Sequence, residues 1–267
     1  MTSFASLIEG ALPEEGLLLP IDKPYCWTSA DVVRKVKYAA CRRFSNKKLK
    51  VGHAGTLDPL ATGILIVCIG AATRKAEALQ ASPKQYVAGI SFGATTPSYD
   101  LEKEIDREFP LGGVSRQAIL DALPGFVGEQ LQVAPLFSAK SVDGVRAYET
   151  ARKLLRQGRL EEGSDILQSS MINIYSLELE EYSDHTVPGP GASGQGRIHV
   201  ADISGYDLPS ARIRIDCSKG TYIRAFARDL GEALGSGAFL NSLRRTANGP
   251  FKIEDALSLE DALSIFA

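Results

Sequence analysis

The sequence predicts an α+β fold, a central mixed and mostly antiparallel sheet flanked by helices and loops. Three observations predict it. Apolar runs of strand type recur along the chain, amphipathic helical stretches fall between them, and the two alternate without the regular βαβ rhythm of a parallel sheet. At 267 residues, one large domain or two modest ones can be built, since single cores seldom grow beyond about 250–300 residues.

GLLLPIDKP opens with a strand-type apolar run. Thr28 or Ser29 then caps a helix through about Tyr38, with Val32, Val33 and Val36 inward. GHAGTLDPLATG is rich in Gly and turn residues and leads into ILIVCIG, a continuous apolar run of buried-strand type. Residues 73–80 read as a short helix. KQYVAGISFG alternates as a half-buried strand, with Tyr86, Ala88, Ile90 and Phe92 on one face. A helix capped by Ser115 covers 115–123, and Asp143-Gly144 marks a turn before a helical stretch with Tyr148, Ala151, Leu154 and Leu155. MINIYSLELEEY and RIHVADIS read as strands joined by the loop SDHTVPGPGASGQG. ARIRIDC is a further strand, KGTY a turn, and IRAFARDLGEAL an amphipathic helix through Ile223, Phe226, Leu230 and Leu234, with Arg224 near its start.

Composition excludes several classes. No apolar segment reaches the roughly 20 residues of a membrane-spanning helix, and the start lacks a basic region before an apolar one; a cytoplasmic protein is expected. Cys26, Cys41, Cys68 and Cys217 form no CxxC pair, and with only His53, His185 and His199 besides, the usual metal spacings are absent. The net charge of -2 hides a basic stretch at 34–50 with eight Lys or Arg and no acid. Such a run suits phosphates, although by itself it is more often a solvated helix face followed by a flexible loop.

Asp58 precedes Pro59 in LDPLATG, locally a turn or helix cap. Its company is more informative: a Gly-rich approach, His53 five residues before, Lys84 and Tyr86 on a strand, and Arg224 in KGTYIR. Spacing by itself still names no reaction.

GHAGTLDPLATG closely resembles the signature loop of the TruB-type tRNA pseudouridine-55 synthases. The resemblance continues through DKPYCWTS, KQYVAGISFGATT, PLFSAKSVDGVRAYETAR, CSKGTYIRAFARDLGEALG and LRRT, in the family's order, from about Gly16 to Phe251. It implies the pseudouridine synthase fold with RNA lying across a central cleft. It also implies Asp58 as the catalytic carboxylate, Tyr86 as the active-site tyrosine and Arg224 as the arginine paired with the aspartate. Leu243 would line the pocket, and His53, Lys84, Tyr222 and Lys23 would contact substrate.

Pseudouridine formation breaks the bond from N1 to the ribose, turns the base and rejoins it through carbon 5. A carboxylate near the sugar assists, whether by attacking the anomeric carbon or by removing a neighbouring proton. Arg224 would keep it ionised, and Tyr86 would serve as base or relay for the proton on carbon 5. A stacked loop base must first be flipped out, and His53 can fill the space it leaves. Basic clusters at 34–50, 146–159 and 212–228, with Arg244 and Arg245, would meet phosphates. The resemblance requires no cofactor and no obligatory protein partner, and it implies tRNA, bound through its T-arm, as substrate of a monomer.

Cys26 stands where the family has Gly in DKPxGxTS, and Ala54 replaces a common Thr. Asp100 falls on a family position, but the Gly that often follows its acidic pair is missing. The expected organisation is a catalytic domain over 1–251 and a short acidic tail or helix over 252–267, without the RNA-binding PUA domain of many relatives. Two rivals remain: an RNA-guided dyskerin-like synthase and a non-catalytic tRNA-folding chaperone using the same cleft.

Overall fold

The structure, a computed structural model, describes residues 12–137, 141–142, 145–146, 153–154, 157, 169–187, 189 and 198–267. They form two compact units. The first comprises the described residues up to Tyr86, Ile198 and Leu243–Ala267; the second comprises those of Val87–Gly191 and His199–Ser242.

In the first unit, β1 (Leu17–Lys23) runs antiparallel to β3 (Ala61–Ile69), with Lys23 opposite Gly63. The other edge of β3 is shared. Its start pairs in parallel with β12 (Ala238–Asn248), Leu243 opposite Ala61 and Arg245 opposite Gly63, while its end pairs with β2 (Val51–Ala54), His53 opposite Val67. Gly63 is required here: its φ is +100°, and a Cβ would lie 2.2 Å from the carbonyl oxygen of Arg245. Ile64, Ile66, Cys68, Ala54 and Ala72 form a buried cluster beneath Leu18, Leu79 and Phe251.

Helix α1 (Ser29–Arg43) begins with a capping box, Thr28 bonding Asp31 in both directions, and packs on β2 and β3. It runs five residues past the expected end at Tyr38. Ala39 and Ala40 are strong helix formers, and Ala40 continues the buried stripe of Val32 and Val36, so burial carries the helix on. Val33 is only half-buried. It stops at Phe44 and Ser45, where φ becomes +49°. The expected helix at 73–80 is a 3₁₀ turn (Gly70–Lys75) followed by α2 (Ala76–Ala81). The chain end supplies β13 (Phe251–Lys252) on β12, β14 (Leu257–Ser258) parallel to β1, and the short helix α5 (Leu259–Ser264). Phe266 meets Phe44 edge to face at 6.1 Å.

The second unit is built on β4 (Lys84–Phe92), β11 (Ser210–Cys217), β10 (Ser169–Ser183) and β7 (Gly128–Val133), adjacent in that order. Two-residue strands β5 (Ala94–Thr95) and β6 (Arg107–Glu108) pair separately, as do β8 (Ser141–Val142) and β9 (Val145–Arg146). Helices α3 (Arg116–Ala122), capped by Ser115, and α4 (Ile223–Ala233) lie where expected. RIHVADIS is not a strand where described. Ala201 bonds across to Leu101, and Asp202 turns the chain by accepting from the Ser204 amide at 2.9 Å, which breaks the alternation. The turn at Asp143-Gly144, most of the helical stretch to Leu155, and the cluster at 146–159 beyond Arg146 lie outside the described residues, apart from isolated positions.

Candidate active site

Asp58 sits at the turn between β2 and β3, half-buried. Six successive carbonyls across this turn each accept a hydrogen bond. Ala54 O accepts from Asn248 Nδ2 at 3.1 Å, Gly55 O and Thr56 O from the Arg245 guanidinium at 3.0 and 3.4 Å, and Leu57 O from Ser29 Oγ at 3.1 Å. Asp58 O accepts from the Ala61 amide at 3.1 Å, and Pro59 O from Lys23 Nζ at 3.1 Å. A loop of Gly and turn residues has little rigidity of its own. Here it is held by β1, α1 and β12 together, which sets the carboxylate at a fixed place.

Two members of this clamp stand apart from their expected roles. Arg245 is 1% exposed, and its Nε also donates to Ile64 O at 2.8 Å, so it braces the turn from within and meets no phosphate. Lys23 is fully buried, with Nζ donating to Pro24 O and Trp27 O besides Pro59 O. Burial pushes its pKa down to about 8, against the opposing pull of the Asp58 charge.

The remaining expected residues distribute over both units. His53 lies in β2 with Nδ1 buried and without a hydrogen-bond partner among the described residues; burial, then the Arg245 charge, lowers its pKa. Leu243 is buried directly opposite Ala61, three positions after Asp58. Tyr86 and Lys84 are both buried at the start of β4. Lys84 Nζ donates to Gln80 O and Ser82 O at the end of α2, so it is neither an exposed strand lysine nor free to reach a phosphate.

In the second unit, Arg224 enters α4 just after Tyr222 and is 5% exposed. It donates to Ser98 O at 3.1 Å and Phe137 O at 2.9 Å, and its Nε stands 3.6 Å from Asp100 Oδ2. Asp100 is itself positioned by Ser98 Oγ at 2.6 Å and the Glu102 amide at 3.0 Å. Sequence reasoning gave Asp100 little weight; its partner lies 124 positions away, and no local pattern announces the pair. Tyr222 is fixed by a reciprocal pair of bonds between its backbone and the Gln132 amide.

The basic clusters also divide. Arg212 and Arg214 form a cross-strand ladder with Glu178, Glu180 and Glu181 of β10, so their charge is already balanced. Arg244 pairs with Asp22 at 2.7 Å. Among the described residues, no group of His, Cys, Asp and Glu is arranged to hold a metal, and no helix is long and apolar enough to cross a membrane.

Known proteins resemble this chain in both sequence and fold. The model of the TruB family pseudouridylate synthase N-terminal domain matches residues 42–190, and that of the tRNA pseudouridylate synthase B C-terminal domain matches 224–267. The chain is 46% identical to the tRNA pseudouridine synthase B of Phocaeicola vulgatus over 92% of each chain. It is 47% identical to that of Bacteroides fragilis over 91% of each. Among solved structures, a Cbf5-Nop10-Gar1 complex is similar at a TM-score of 0.61 and 26% identity, covering 96% of this chain and 59% of that one. A Nop10-Cbf5 complex of the archaeal box H/ACA sRNP, at 24% identity and a TM-score of 0.58, shares the fold over 96% of this chain and 60% of that one. The chain belongs to the TruB family and is a pseudouridine synthase, an isomerase.

Proposed function

We propose that the protein isomerises uridine to pseudouridine at position 55 in the TΨC loop of tRNA, with Asp58 as the catalytic carboxylate. The observation that carries this reading is the turn in which every carbonyl from Ala54 to Pro59 is engaged. A group that must meet one ribose carbon or its neighbouring proton gains most from being held in place beforehand. The tRNA pseudouridine synthase B relatives, at 46–47% identity, support the substrate.

In this reading the target uridine is flipped from its stack, and Asp58 assists departure of N1 from the sugar. The freed base turns, carbon 5 bonds to the same sugar carbon, and the proton on carbon 5 leaves, with Tyr86 as its base or relay. Arg224 completes the catalytic set. Leu243 closes the pocket beside the turn, and neutral His53 offers a planar ring for the gap left in the RNA. Lys23 acts from behind the turn, and Lys84 and Tyr222 support the binding surface. The protein works as a monomer and no cofactor enters the scheme.

The test is tritium release from carbon-5-labelled uridine in a T-arm minihelix. Asp58→Asn is expected to release none while its Kd for tRNA stays within about threefold of the native value. Equal release from both proteins would exclude the mechanism.

A further inference from the structure

The outer side of α1 carries a feature that the Asp58 chemistry does not use. Arg34, Lys37, Tyr38, Cys41 and Arg42 fall on one helical stripe, away from the buried stripe of Val32, Val36 and Ala40. With Ser45 and Lys47 they line a concavity of about 650 Å³, within the usual range of about 300–1,000 Å³ for small-ligand sites. Four of the seven lining side chains are cationic and none is acidic. Tyr38 is 68% exposed, and the Arg42 guanidinium lies 5.9 Å from its ring centre.

Cations three and four residues apart on a helix repel one another. Among the described residues only Arg34 is offset on this face, by Asp31 at 3.0 Å. Uncompensated cations of this kind suit an anion, and the exposed ring specifies which kind. Cations beside an exposed aromatic ring form the combination by which proteins hold unpaired nucleotides, phosphates on the charges and the base on the ring. A free phosphate or an acidic peptide would leave the ring unused.

We propose that this hollow binds an unpaired nucleotide of the substrate RNA, its base stacked on Tyr38 and its flanking phosphates on Lys37, Arg42 and Lys47. The proposal rests on the reading of tRNA as substrate. Ser29, bonded to Leu57 beside Asp58, stands nine residues before Tyr38 in the same helix, about 13 Å at 1.5 Å per residue. The nucleotide held here is therefore a different one from the uridine at Asp58.

Titration of tRNA against the full chain by fluorescence anisotropy at several salt concentrations, with kcat and KM measured alongside, decides the matter. Tyr38→Ala is expected to raise Kd and KM at least fivefold at unchanged kcat, and Tyr38→Phe to stay within about twofold, because the ring is kept. Lys37→Gln with Arg42→Gln should lower the slope of log Kd against log salt by about 1.5. Native Kd and native salt slope in these variants would overturn the proposal, as would a hollow that serves an acidic protein, since that too leaves tRNA affinity intact. Asp58→Asn, run in parallel, separates the two readings: isomerisation persisting in that variant sinks the reaction mechanism, and the Tyr38 comparison still decides the hollow.

Discussion

Ser29 Oγ donates to the carbonyl of Leu57 at 3.1 Å and accepts from the Leu57 amide at 2.9 Å, so one hydroxyl satisfies both backbone groups of the residue before Asp58. The two residues are 28 positions apart and both are buried. Removing the hydroxyl leaves a buried donor and a buried acceptor unpaired, at a cost of about 1–3 kcal/mol each. Ser29→Ala is expected to lower kcat about tenfold with KM little changed, because the turn loosens while the RNA contacts persist. Steady-state kinetics on tRNA checks this; a native kcat would show that the clamp is not needed for chemistry.

Arg244 and Arg245 adjoin in sequence and should behave oppositely. Arg245→Met strips partners from the carbonyls of Gly55, Thr56 and Ile64, and a loss of about 3 kcal/mol or more is expected. Arg244→Gln removes an ion pair with Asp22 whose two side chains are 44% and 33% exposed, worth under about 1 kcal/mol. Urea unfolding of the two variants should rank them in that order.

Lys23 makes activity and stability respond in opposite senses to alkali. Its folded pKa, about 8, lies below its ordinary 10.5, so between these values the unfolded chain binds more protons and stability rises with pH. Below about 8 the burial penalty is constant. The ammonium, however, supplies three donors to three carbonyls, one of them Pro59 O. Losing the proton frees a carbonyl beside Asp58 and removes the neighbouring positive charge. We expect kcat to fall with an apparent pKa near 8 while thermal stability increases through the same window. A flat kcat from pH 6.5 to 9.5, about 1.5 units on either side of the midpoint, would refute the assignment.

His53 is held neutral at physiological pH, burial and the Arg245 charge both opposing its protonation. If its ring acts by stacking, His53→Phe should keep kcat/KM within about threefold and His53→Ala should lose about tenfold. Neither change should introduce a new ionisation between pH 6 and 8 in profiles of kcat/KM, the window about one unit either side of neutrality. Phe and Ala performing alike would argue against stacking.

Elements were legible where one pattern dominated. KQYVAGISFG alternates, and β4 buries Tyr86, Ala88, Ile90 and Phe92 as that alternation requires, but from Ala88 on the other face is covered too, Gly89 and Ser91 included, so the strand is half-buried only at its start. RIHVADIS alternates as well, yet Asp202 accepts from the Ser204 amide and breaks the run, a competition between side chain and ladder that periodicity does not register. The extension of α1 to Arg43 was hidden for a related reason, since the basic residues on its outer side masked a buried stripe continuing to Ala40.

By itself, the sequence determined the family and the Asp58 turn, because both reside in short contiguous motifs whose order can be read along the chain. Tertiary structure alone decided what holds that turn and what supports Arg224. Arg245 reads as one more surface cation in LRRT until β12 is laid beside β3, where it becomes a buried clamp on Gly55 and Thr56. Asp100 becomes the neighbour of Arg224 only after the chain has folded back over 124 positions. Partners of a buried charge are chosen by desolvation and geometry at the folded site, and neither quantity exists until distant strands are brought together.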